Sequence, residues 1–156
     1  NNSFKNLLYL TELDLSINDL IFMNSNLFKD LKELTYLNLS YNKLEHIDNN
    51  LTSPLIKLII LDLSHNRIKF IRYETFSNLK YTFILYLNDN LFDSFTDNQT
   101  FLGLSSLKNI FVSKEVFLNQ ISVNNVKDSF KLKMARQVLY YKFFESVNFH
   151  YSIKDN

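Results

Sequence analysis

Residues 34–44 read LTYLNLSYNKL. Leucines stand at 34, 37, 39 and 44, and an asparagine stands at 42. The same spacing occurs upstream in residues 10–20, LTELDLSINDL, and downstream in residues 58–68, LIILDLSHNRI. The three copies are 24 residues apart. A fourth, TFILYLNDNLF over 82–92, keeps the frame with Thr82 in the first slot and Phe92 in the last. A fifth begins one residue late, as Leu107-x-x-Ile110-x-Val112, and has Glu115 where asparagine is expected. A fixed period of this kind means that each unit is one supersecondary element stacked on the next.

The rest of each unit repeats as well. Phe4-x-x-Leu7, Phe28-x-x-Leu31, Phe76-x-x-Leu79 and Phe101-x-x-Leu104 each precede the next copy of the motif by the same interval. The third unit departs from this pattern, with Thr52 in the phenylalanine slot and Leu55 kept. In the short Leu-x-Leu segment, alternation sends Leu13 and Leu15 to one face and Asp14 to the other. One such strand cannot bury its leucines alone. Stacked at ~4.8 Å, successive strands form a parallel sheet over one continuous core. Each buried leucine then contributes roughly 1.5–3 kcal/mol.

The pattern resembles the leucine-rich repeat family, in its 24-residue form with a phenylalanine slot. That form is typical of surface-receptor ectodomains such as the Toll-like and hormone-receptor types. The resemblance covers residues 4 to about 115. It implies an α/β solenoid: a curved parallel sheet on the concave face, a short irregular or helical convex side, and a C-terminal cap. On this reading residues 1–115 are the solenoid, with a partial repeat at 1–9 and units starting at 10, 34, 58, 82 and 107. Residues 116–156 are the capping segment. There Val126, Phe130, Met134 and Val138 recur every four residues, as on one face of a helix that Asn125 could cap. Val147, Phe149, Tyr151 and Ile153 alternate as in a strand.

Asn18, Asn42, Asn66 and Asn90 fall where the chain leaves the sheet and backbone groups lose strand partners. A carboxamide offers both donors and an acceptor. These four are read as a structural ladder, and the phenylalanines as core. The positions facing away from the core form columns. One column runs Glu12, Tyr36, Ile60, Ile84, Asn109, and its neighbour runs Asp14, Asn38, Asp62, Tyr86, Phe111. Further columns are Ser16, Ser40, Ser64, Asn88, Ser113 and Ile17, Tyr41, His65, Asp89, Lys114. Tyr36, Ile60, Ile84, Tyr86 and Phe111 make an apolar diagonal with polar residues on both sides, the pattern of an interaction surface. These five are the expected contacts for a protein or peptide ligand, since the family commonly binds partners on the concave face.

Composition narrows the chemistry. The chain of 156 residues is 46% hydrophobic and 21% charged, with a net charge of +1. No overall field draws it to nucleic acid or to an anionic membrane. It has no cysteine, one glycine and one proline. Thiol catalysis, zinc fingers, disulfides and glycine-rich phosphate loops are therefore outside its means. The cysteine-rich flank that closes extracellular relatives is not present in these residues. His46, His65 and His150 lack metal-pair spacing. Ser64, His65 and Asp62 or Asp89 suggest a triad on paper, but adjacent strand positions face opposite ways and no glycine turn supplies an oxyanion hole. No metal, no cofactor and no enzyme activity are expected.

Asn1, Asn38, Asn50 and Asn98 begin glycosylation sequons. Asn50 and Asn98 fall on outer loops and are the glycosylation candidates. The first residue is asparagine, with no apolar leader and no run of ~20 apolar residues; a membrane is expected only through a missing part of a parent chain. Residues 1–126 carry net −2 and residues 127–156 net +3. Lys127, Lys131, Lys133 and Arg136 are read as a solvated helix face. The functional expectation is a non-catalytic recognition module from an extracellular or cell-surface protein. The alternative is an intracellular, cytoplasmic scaffold or regulator of the same fold.

Overall fold

A computed structural model describes residues 3–72, 74–92, 101 and 103–113. Five three-residue strands occur at the repeat spacing: β1 (Glu12–Asp14), β2 (Tyr36–Asn38), β3 (Ile60–Asp62), β4 (Ile84–Tyr86) and β5 (Asn109–Phe111). They form one parallel sheet in sequence order. Register is strict. Glu12, Tyr36, Ile60, Ile84 and Asn109 lie in one row, and Asp14, Asn38, Asp62, Tyr86 and Phe111 in another. The one-residue delay of the fifth unit is absorbed before β5, which still pairs in frame with β4.

Between the rows, Leu37, Leu61, Leu85 and Ile110 point inward and are buried. With Leu39, Leu63 and Leu87 they form the sheet side of a single core. The period-2 alternation of the strands thus separates core from solvent over only three residues. Leu13 and Leu15 are half-buried, because the first coil is covered on one side only.

The Phe-x-x-Leu half of each unit folds for a local reason. Leu31 N–H donates to Phe28 O and Leu34 N–H to Leu31 O, and the same pair of turns recurs from Phe76 through Leu79 to Thr82. Successive three-residue turns place each side chain of the series over the core, which explains the spacing of three. Phe28, Leu31, Leu34, Phe76 and Leu79 are fully buried. The phenylalanines do not form one continuous stack. Phe4 packs on Phe28 with ring centroids 5.9 Å apart, and Phe76 on Phe101 at 6.3 Å.

The third unit separates these two pairs. Its back begins with α1 (Asn49–Thr52), capped by Asp48, whose carboxylate accepts from Asn50 N–H at 2.8 Å. An extended N-cap residue with an acceptor side chain satisfies one orphan donor of the first turn. Leu51 and Thr52 are both buried here. The Thr52 hydroxyl donates to Thr75 O in the next coil. Thr75 Oγ1 in turn donates to Asn49 Oδ1 at 2.8 Å. A polar staple between coils thus replaces the missing ring. The expected capping segment, 116–156, lies outside the described residues, as does Lys114.

Candidate functional site

The asparagine column closes the sheet at its C-terminal edge. Asn42 Nδ2 donates to Leu15 O, Leu39 O and Ser40 O, and its Oδ1 accepts from Leu20 N–H. Asn66 repeats this one coil later with Leu39 O, Leu63 O, Ser64 O and Leu44 N–H. Both are buried. Asn90 makes the same set of contacts while half-buried. Asn18 is exposed and donates to Leu15 O and Ser16 O of its own coil.

Just before each asparagine the backbone turns left-handed. Ile17, Tyr41, His65 and Asp89 have φ between 52° and 55°. For residues with a Cβ this region is strained, and its recurrence at one place in four coils shows that the turn out of the sheet requires it. The turn also throws these side chains outward. Tyr41 stacks on His65 with centroids 4.0 Å apart, and His65 Nε2 lies 3.3 Å from Asp89 Oδ2. Ser64 is buried and its hydroxyl donates to Asp62 Oδ1 at 2.7 Å. The serine is therefore engaged with Asp62 while the imidazole stands on the ridge with Tyr41 and Asp89.

The five expected contact residues share the solvent face of the sheet, each half-buried. Tyr36, Ile60 and Ile84 are neighbours along one row, and Tyr86 and Phe111 along the next. The Tyr86 and Phe111 rings stack at 4.5 Å with planes 10° apart. Burial in the sheet raises the phenol pKa of Tyr36, and the nearby carboxylates of Asp14 and Asp62 raise it further. Burial likewise raises that of Tyr86, with Asp62 adding to it. Hydrogen bonds from Ser16 hold the Asp14 carboxyl below its ordinary value. Asn38 donates to Asp14 Oδ2 at 3.2 Å and accepts from Ser40.

A further column belongs to this face, ahead of the first: Thr11, Thr35, Ile59, Phe83 and Lys108. Ile59 and Phe83 are exposed, and Lys108 Nζ stands 4.8 Å over the Phe83 ring. Thr35, Ile59, Glu12, Tyr36 and Ile60 line an open notch of about 270 Å³. Sequence reasoning passed over this column, although its 24-residue spacing was as plain as that of the others. Tyr41 and His65 are neighbours in a column that the sequence does show, but the stacking of their rings had no signal there. Asn50 is exposed on α1, and Asn98 lies outside the described residues. Among the described residues no group of His, Asp and Glu is placed to hold a metal ion, and no helix is long and apolar enough to cross a membrane.

A stacked series of one-strand coils over a leucine core, with an asparagine column at the turn, defines a solenoid with one open sheet face. The chain belongs to the leucine rich repeat family, whose sequence model matches residues 8–68, 42–92 and 56–117 in overlapping registers. Solved structures agree. The chain is similar to one from the structure of the Toll–Spatzle complex, described as a molecular hub in Drosophila development and innate immunity. The likeness has 26% identity and a TM-score of 0.59, and covers 70% of this chain and 15% of that one. The present chain thus spans a small part of that protein's length. No curated protein sequence gives a significant match.

Proposed function

We propose that this chain is a non-catalytic recognition module that binds a protein or peptide ligand on the concave sheet face, through Tyr36, Ile60, Ile84, Tyr86 and Phe111. One observation carries the reading: an aromatic and aliphatic diagonal lies in register on the solvent side of a rigid sheet, and ends in the Tyr86–Phe111 stack. Such a surface loses little conformational entropy on binding, and tyrosine is favoured where binding energy concentrates. The structural likeness to a chain of the Toll–Spatzle complex supports the same class of activity.

The setting we propose is an extracellular or cell-surface protein, with Asn50 and Asn98 as glycan acceptors. The exposure of Asn50 favours it. An intracellular scaffold or regulator is the second reading, supported by the absence of cysteine. Two measurements test these statements. In a screen against a panel of purified ectodomains, Tyr36→Ala/Tyr86→Ala/Phe111→Ala should lose at least tenfold in affinity for any binder while keeping its circular dichroism spectrum; unchanged affinity refutes the concave site. Expression behind a secretion signal should give soluble protein whose mass falls on glycosidase treatment. Retention in the cell without glycan favours the intracellular reading.

A further inference from the structure

The concave face is apolar toward β5 and acidic toward β1. Glu12, Asp14 and Asp62 lie on it, and none of them forms a salt bridge among the described residues. Asp14 and Asp62 stand on the strands either side of β2, in register with Asn38, two residues along from Tyr36. The notch has aliphatic and aromatic walls in Ile59, Ile60 and Tyr36, and Glu12 and Thr35 complete its lining. Lysine and arginine combine an apolar stem with a charged head. An aromatic face beside carboxylates that have no cationic partner is the surroundings such a head prefers. Glu12 lines the notch, with Asp14 and Asp62 in the neighbouring row, so a cationic head there meets one carboxylate directly and the negative charge of two more nearby.

We propose that the notch takes a lysine or arginine side chain from an extended segment of a partner protein, and that an apolar residue of the same segment rests on the Tyr86–Phe111 stack. This rests on the concave-face reading above and names the chemistry of the partner. The spacing follows from the sheet. Between β2 and the β4–β5 pair lie two to three strand intervals, about 10–14 Å at ~4.8 Å each. An extended chain advances ~3.3–3.6 Å per residue. The cationic and apolar anchors are therefore about three to four residues apart, in a segment that crosses the strands.

The experiment is selection of a phage-displayed library of random dodecapeptides on the immobilised full chain. Selected peptides should carry lysine or arginine three or four residues from a large apolar residue. A synthetic peptide of that sequence should bind at least tenfold more weakly to Glu12→Gln/Asp14→Asn/Asp62→Asn, and should weaken as salt is raised. Peptides that lack a cationic residue, yet are lost on Tyr86→Ala/Phe111→Ala, overturn the inference and leave the concave site standing. Failure to select peptides, or peptides indifferent to both sets of substitutions, overturns both.

Discussion

The carboxamide nitrogen of Asn66 lies 2.9 Å from the carbonyl oxygen of Leu39, in the coil before its own. The oxygen of the same carboxamide accepts from Leu44 N–H at 3.0 Å, so one side chain joins two coils at two backbone points. Neither point has a strand partner once the chain turns. Removing the carboxamide leaves the buried Leu44 N–H unpaired, at about 1–3 kcal/mol, while Leu39 O keeps its bond from Asn42 Nδ2. Asn66→Ala and Asn42→Ala should each lower stability by that amount in urea titration. Asn18→Ala should cost distinctly less, because Asn18 is exposed and bonds only within its own coil. Equal losses at all three sites would refute the inter-coil argument.

The solenoid was legible because its signal is periodic. The 24-residue spacing of Leu13, Leu37, Leu61 and Leu85 is the register of the sheet itself. The apolar diagonal was legible for the same reason, since columns in the sequence become rows on the sheet. What escaped depends on contacts between particular neighbours. Thr52 read as a flaw in the phenylalanine slot, and only the Thr75 carbonyl one coil away shows what its hydroxyl does. The left-handed turn at Tyr41 occurs at a residue type with no preference for it, so nothing local marked the turn that lets Tyr41 stack on His65.

The third coil gives a sharper test of packing. Restoring the repeat pattern by Thr52→Phe looks stabilising from sequence alone. The structure predicts the opposite. Leu51 and Thr52 already fill this part of the coil, and a ring would also remove the hydroxyl bound to Thr75 O. Overpacking costs about 1–3 kcal/mol. Thermal unfolding of Thr52→Phe should therefore begin below that of the parent chain. Thr52→Val, which nearly keeps the volume, should isolate the hydrogen-bond part of the loss.

Gly103 is the chain's single glycine. A Cβ added there would sit 2.0 Å from Phe76 O and 2.4 Å from Ser77 Cα. Both obstacles are backbone, so neither can rotate away. Gly103→Ala must push the fourth and fifth coils apart where Phe76 meets Phe101. We expect a loss of about 1–3 kcal/mol, and faster amide exchange in β5 than in β2. Parent-like stability would show that the two coils do not approach this closely.

Tyr36 and Tyr86 link the sheet face to pH. Both phenols are raised in the folded chain, first by burial, and Asp62 contributes to each. In the unfolded chain they ionise near ~10. Below that value both states are protonated and the shift has no effect on stability. As pH rises past it, the unfolded state loses its protons first, so stability falls. Absorbance titration at alkaline pH should show two tyrosines ionising above the ordinary tyrosine value. Asp62→Asn should lower both, but burial, the larger cause, keeps each above the ordinary value, and Asp14 still adds to Tyr36. An unchanged titration in that variant would separate Asp62 from the aromatic surface.

The last prediction separates the work of the open face from that of the core. Tyr86 and Phe111 stack at 4.5 Å, and such pairs contribute about 0.5–1.5 kcal/mol beyond area burial. Leu85, next to Tyr86 in β4, points the other way and is fully buried. Its truncation should cost about 2–5 kcal/mol. A double-mutant cycle on Tyr86→Ala and Phe111→Ala should return a coupling within the smaller range, with both variants folded. Leu85→Ala should lose most of the cooperative transition. If the aromatic pair proved as costly to truncate as Leu85, its rings would be structural rather than free to serve a ligand. The concave-face reading would then have to rest on Tyr36, Ile60 and Ile84 alone.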